Sequence, residues 1–257
     1  MTDDSPQYWQ DLARSQVELG RLLMTAGKNH EAEKTFDQAV AGQEKLEAEF
    51  GENAKYRREL ALSHGTTAGL LASAGRTTDA TKLCHLALAQ CRKLAEELPA
   101  NAADQFRLAQ LYHVLGECLP GGQEAETAFR MALETRGRAL STSSTDAAAR
   151  WMQGHDHRLF AFAAGRDPGR HPEMEKHFLA ALELFGALHT EFPEDPRYRR
   201  YLVETLHELK RLLATSPDPE RREPQKALPL AERAVALGSD CWETWAFRGS
   251  VVAELGQ

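Results

Sequence analysis

Metal-ligating side chains crowd one stretch of this 257-residue chain: His155, Asp156, His157, His171 and His177. Neutral imidazoles beside a carboxylate suit zinc or nickel. The spacing argues against a shared ion, because residues two apart on a helix point about 200° from one another. Only a loop at 155–157 would bring both rings to one metal. Solvated or capping histidines are expected instead, and neither a metal nor a cofactor is assigned.

Cysteine is the next candidate. Cys84, Cys91, Cys118 and Cys241 form no CxxC pair. Cys84 and Cys91 share a helix face two turns apart, a rise of about 10 Å, which exceeds the reach of a disulfide. They read as small buried apolar side chains in a reducing cytoplasm. The chain holds no GxxxxGKS or GxxxxGKT, no HExxH, no GxSxG and no strand-borne GxGxxG. Kinase catalytic-loop and magnesium-binding motifs are missing too. No catalytic residue is proposed, and the chain is expected not to be an enzyme.

Charge narrows the partners. With 31 basic and 38 acidic residues the net charge is −7, so nucleic acid is not expected. No apolar run approaches the roughly 18 residues that span a bilayer, so no membrane partner is expected. The opening MTDDSPQYWQ is polar and acidic, unlike a secretory signal. These features imply a cytoplasmic protein.

The elements that must position these side chains are helices. The chain has 39 Ala and 34 Leu, only 7 Val and no Ile. Ala and Leu are the strongest helix formers, whereas β-branched residues fill strands. Shifting the chain by 48 aligns residues 8–54 with residues 56–102, and 17 of 47 positions are identical. Leu12/Leu60, Ala13/Ala61, Gly27/Gly75, Ala32/Ala80 and Ala39/Ala87 are among them, and Gly20, Ala68 and Gly116 continue the spacing. Residues 191–202 match residues 49–60 at seven of twelve positions. A period of this length marks stacked supersecondary units.

Each repeat reads as a helix hairpin. In the second, Tyr56 to Ala74 and Asp79 to Leu98 are the helices. Gly75 ends the first, Thr77 is available to cap the next, and Pro99-Ala100-Asn101 closes the repeat. Leu60, Gly65 and Ala68 are expected to pack while Arg57, Arg58 and Glu59 stay wet. Phe36, Phe129 and Phe178 fall between the recurring alanines and read as knobs between helices. The turn of the third hairpin shortens to Pro120-Gly121-Gly122-Gln123. Loops are expected at Ser141–Thr145, at Gly165–Pro172 and at Thr215–Pro224, with Asp146 capping the helix after the first of them. Ser5 stands as an N-cap before Pro6, as at the beginning of an array.

This pattern resembles the tetratricopeptide repeat (TPR) family. Gly20, Gly27, Ala32, Phe36 and Ala39 match its small and aromatic positions, and Trp245, Gly249 and Gly256 fit in the last stretch. The usual repeat has 34 residues. The 48-residue form, opening Tyr-Arg-Arg-Glu-Leu, is similar to long-repeat arrays of planctomycete-type bacteria, which often follow a Ser/Thr kinase domain. The resemblance implies an all-α fold, a right-handed solenoid of antiparallel hairpins forming one array over 1–257. Its repeats cover about 8–54, 56–102, 104–147, 149–196 and 198–241, with a final half repeat at 242–257. Trp245, Phe247, Val251 and Val252 of that half repeat form either a cap or a surface for self-association.

The family's first helices line a concave groove for a peptide or partner helix. Carried over, the groove residues are Arg14, Val17, Arg21 and Met24; then Leu62, Gly65, Gly69 and Ser73; then Gln110, His113 and Glu117; and Glu204, His207 and Arg211. Arg14 and Arg21 on one face suit a carboxylate. The chaperone-binding clamp of the family uses Lys and Asn where this chain has Val17, Arg21, Gly65 and Gly69, so that clamp is not expected. Long-repeat relatives carry Asn-Asn at Val17-Glu18 and Gly65-Thr66. Their replacement favours a folded surface or helix over an extended peptide. The resemblance implies a non-enzymatic scaffold that binds a partner protein. The alternatives are a regulatory segment working with a kinase, or an α-solenoid with a metal or enzymatic site in the histidine-rich fourth repeat.

Overall fold

A computed structural model describes residues 5–51, 53–97, 102–142, 146–165, 168–214 and 222–238. Among them are ten α-helices and no strand: α1 (Pro6–Thr25), α2 (Asn29–Phe50), α3 (Ala54–Ser73), α4 (Thr77–Glu97), α5 (Ala102–Cys118), α6 (Gln123–Thr142), α7 (Ala147–Ala164), α8 (His171–Glu191), α9 (Pro196–Ala214) and α10 (Pro224–Ala236). The chain forms two compact units, residues 1–143 and 144–257.

In the first unit α1 pairs with α2, α3 with α4 and α5 with α6. The hairpins stack, α2 on α3 and α4 on α5, and the first helices touch in the order α1, α3, α5. The turns explain the recurring glycines. Gly27 and Gly75 have φ of 73° and 80°, a left-handed conformation that costs other L-residues about 1–2 kcal/mol. They let the amides of Lys28 and Arg76 reach back to the carbonyls of Leu23 and Leu71, each at 2.9 Å. Thr77 is already the first residue of α4, and the Ala80 amide bonds the Arg76 carbonyl. The expected threonine cap is therefore not made.

Close packing sets the other small residues. A Cβ on Gly20 would lie 2.4 Å from Phe36 Cε1, and one on Gly116 would lie 2.6 Å from Phe129 Cε1. Each ring fills the notch its glycine leaves. The second hairpin carries Ala68 and Cys84 at that register, both fully buried. Ala32, Ala39, Ala80, Ala87, Ala125 and Ala132 are buried at helix contacts, as their spacing requires.

Of the three side chains expected in water, one is buried and two are only partly exposed. Arg57 is buried and its Nε donates to the Gly51 carbonyl at 3.2 Å. Arg58 and Glu59 are half-buried in ion pairs to neighbouring helices. The helix pattern alone marked them as polar; the stacked neighbours supply their partners.

In the second unit α7 pairs with α8, α8 with α9 and α9 with α10. Asp146 caps α7, its Oδ1 accepting from the amides of Ala148 and Ala149. Phe178 is buried as expected, but the glycine notch lies two turns further along, where a Cβ on Gly154 would meet Phe185 Cε1 at 2.8 Å. The sequence match at 191–202 is also a match in geometry: Phe50 and Tyr56 have ring centroids 5.6 Å apart, and Phe192 and Tyr198 5.8 Å. Two expected loops are shorter than read. Ser141 and Thr142 end α6, and α8 begins at His171 after a 3₁₀ turn at Pro168–Arg170. Residues 98–101, 143–145, 215–221 and the half repeat at 242–257, with Cys241, lie outside the described residues.

Candidate functional site

Helices α1 and α3 bound a cleft of about 250 Å³ lined by Gln10, Arg14, Val17, Glu18, Glu59, Leu62, Ser63 and Thr66. Three residues carried over from the family pattern meet here: Arg14, Val17 and Leu62. Val17 is buried in the floor and Arg14 is exposed at the rim. The Arg14 guanidinium donates to Glu59 Oε2 at 3.2 Å, and Arg21 pairs with Glu18 at 2.9 Å. Both arginines expected to attract a carboxylate are already partnered. The cleft mouth is a set of exposed dipoles over an apolar floor, with no uncompensated positive patch.

The remaining candidates scatter. Met24 is half-buried against the core. Gly65 is covered by α5, since a Cβ there would lie 2.6 Å from Leu111 Cδ2, and Gly69 faces Val114. Ser73 is exposed, its Oγ donating to the Gly69 carbonyl. Gln110 and Glu117 are exposed, whereas His113 is buried edge-on to Phe129, with Nε2 3.5 Å from Glu117 Oε2. In the second unit Glu204 accepts from Arg158 at 3.1 Å, His207 is half-buried and Arg211 bonds Glu208.

One recurring contact escaped the repeat pattern. Successive first helices are tied by ion pairs: Arg14 to Glu59, Arg58 to Asp104 at 3.2 Å, and Arg158 to Glu204. Opposite charges 45 or 46 residues apart were its sequence signal, set just off the 48-residue register. Arg158 also lies over the Tyr201 ring, which packs on Trp151 and His155.

Of the candidate histidines, His157 and His177 meet, while His155 lies elsewhere. α7 is helical through 155–157, so the rings of His155 and His157 diverge as the spacing requires. His155 packs 4.8 Å from Tyr201, while His157 Nδ1 lies 2.8 Å from His177 Nδ1 on α8. Among the described residues no three His, Cys, Asp or Glu side chains gather to hold a metal. Burial, then the His177 neighbour, lowers the His157 pKa to about 4. Burial likewise lowers His64 to about 4, and neither of its ring nitrogens has a partner. Cys84, Cys91 and Cys118 are buried free thiols. The Cys84 thiol bonds that of Cys118, which raises Cys84 and lowers Cys118, and burial pushes Cys91 up to about 11.

Glycine-notched antiparallel hairpins stacked through their first helices place the protein among the all-α, TPR-type repeat folds. No family model matches the sequence, and no curated protein matches it. Among solved structures, a thermophilic TPR protein of Thermus thermophilus is similar over 94% of this chain and 99% of its own, at 16% identity and a TM-score of 0.41. A tetratricopeptide repeat protein of Parabacteroides merdae is similar over 94% of this chain and 99% of its own, at 13% identity and a TM-score of 0.34. Among the described residues no helix is long and apolar enough to cross a membrane.

Proposed function

We propose that this protein is a non-enzymatic scaffold in the cytoplasm that holds a partner protein in the cleft between its first helices. The supporting observation is the α1–α3 cleft, where Val17 and Leu62 offer apolar contact and the Arg14–Glu59 pair offers both charges at the rim. A site built this way suits a helix or folded surface that brings its own mixed charges. It is poorly suited to a lone carboxylate, because both arginines would have to leave their partners first. The test is affinity capture with the full chain, repeated with Arg14→Glu and Arg21→Glu. Partners lost from both variants and recovered with an unrelated surface variant support the reading. Partners retained by both, with circular dichroism unchanged, refute it.

A further inference from the structure

The groove between successive second helices occurs twice in the first unit, closed once and open once. Between α2 and α4 the Arg76 guanidinium bonds Asp37 at 2.9 Å and Asp79 at 2.6 Å. With that bridge and the Leu83 side chain in its wall, the cavity there is about 190 Å³. Between α4 and α6, over α5, it is about 560 Å³. Register explains the difference. Ala80 and Ala87 of α4 recur as Ala125 and Ala132 of α6, a step shorter than the repeat, because the turn before α6 is short. Counted at that step, Arg76 gives way to Gly121 and Leu83 to Ala128. On α4, His85 stands where α2 has Asp37. The bridging arginine, one of its acids and the filling leucine are therefore all replaced.

The open groove has an apolar floor and a cation at one end. Leu88, Leu115 and Ala128 are buried beneath it, and Leu119 and Met131 are half-buried along it. Where α2 has Glu44, α4 has Arg92. Arg92 Nη2 donates to the hydroxyl of buried Tyr112 at 3.1 Å, and among the described residues it pairs with no carboxylate. That bond steadies the guanidinium and leaves its other donors, and the Tyr112 hydroxyl proton, for an anion. His85 and Glu124, at the registers of Asp37 and Asp79, share the opposite end, about 10 Å along α4. Glu124 disfavours an anion at that end, which fixes the orientation of an anionic ligand. The volume falls within the roughly 300–1,000 Å³ of small-molecule sites. We propose that this groove binds a medium-chain fatty acid, with its carboxylate on Arg92 and Tyr112 and its alkyl chain over Leu88, Leu115 and Met131. The groove shares no residue with the α1–α3 cleft, so the two readings stand or fall separately.

The test is isothermal titration calorimetry of the full chain with octanoate and with octanol. Octanoate is expected to bind saturably, and octanol, which keeps the alkyl chain without the charge, about tenfold more weakly. Arg92→Met is expected to lower octanoate to the affinity of octanol and to leave octanol unchanged. Ala128→Leu restores the leucine of the closed groove and is expected to weaken both ligands several-fold, with circular dichroism checking the fold. Arg14→Met in the cleft is expected to change neither affinity. No saturable binding of octanoate, equal affinity for the two ligands, or octanoate binding indifferent to Arg92→Met overturns the proposal.

Discussion

Gly20→Ala places a methyl group where the Phe36 ring already stands. The new Cβ would lie 2.4 Å from Cε1 and 2.8 Å from Cδ1 and Cζ, against a usual carbon–carbon separation of about 3.5–4.0 Å. The ring must retreat by roughly 1 Å. It is 0% exposed, so retreat means repacking the hairpin, a strain of about 1–3 kcal/mol. Replacing a helical glycine by alanine returns about 0.5–1 kcal/mol, so the expected net loss is about 0.5–2 kcal/mol. Phe36→Cys leaves a void and is expected to cost about 3 kcal/mol. The double variant reproduces the Ala68/Cys84 pair of the second hairpin, where no ring needs the notch. It is expected to cost about 1–2 kcal/mol less than the two singles added together. Urea unfolding of the four proteins followed by circular dichroism measures this cycle. Strict additivity, or a Gly20→Ala protein as stable as its parent, would refute the idea that the glycine exists to admit the ring.

Acid is expected to destabilise the protein through its buried imidazoles. His64 and His157 have folded-state pKa values of about 4 against an ordinary 6.5, so between these values the unfolded chain binds more protons. Stability is therefore full above pH 6.5 and falls as pH drops toward 4, by roughly 3 kcal/mol for each histidine. His64→Gln should flatten this slope in urea titrations at several pH values, and an unchanged slope would contradict it. The ion pairs between first helices should differ in strength. Arg158 is 11% exposed and Arg14 is 64% exposed, so Arg158→Met is expected to cost about 1–2 kcal/mol and Arg14→Met under about 0.5. Asp146→Ala removes the α7 cap and is expected to cost about 1 kcal/mol, read as a lower melting temperature.

The fold was legible in the sequence because its determinants are local. Gly27 and Gly75 are required by a backbone angle, and Ala32 and Ala39 by a contact that recurs at a fixed spacing. The candidate site was only partly legible, because exposure on a first helix depends on what the next hairpin lays across it. Gly65 looks like an opening in the groove until Leu111 of α5 fills it. His113 looks like a groove residue, yet it turns inward against Phe129. The partnering of Arg14 with Glu59 depends on how far apart two helices come to rest, which a single-helix pattern does not encode.

The turn glycines carry a consequence for how such a chain can be altered. A side chain at Gly27 or Gly75 would touch nothing within 4 Å, so those positions are constrained by handedness alone. A D-alanine there should be accepted where L-alanine is resisted, because the mirror-image residue favours the angle the turn needs. With no packing to disturb, these corners are natural places for length to change. The connection between α7 and α8 already differs in this way, with a 3₁₀ turn where the first two hairpins have a single left-handed glycine. A chain joined through corners of this kind can accept an inserted epitope or reporter between its helices without any core residue having to move.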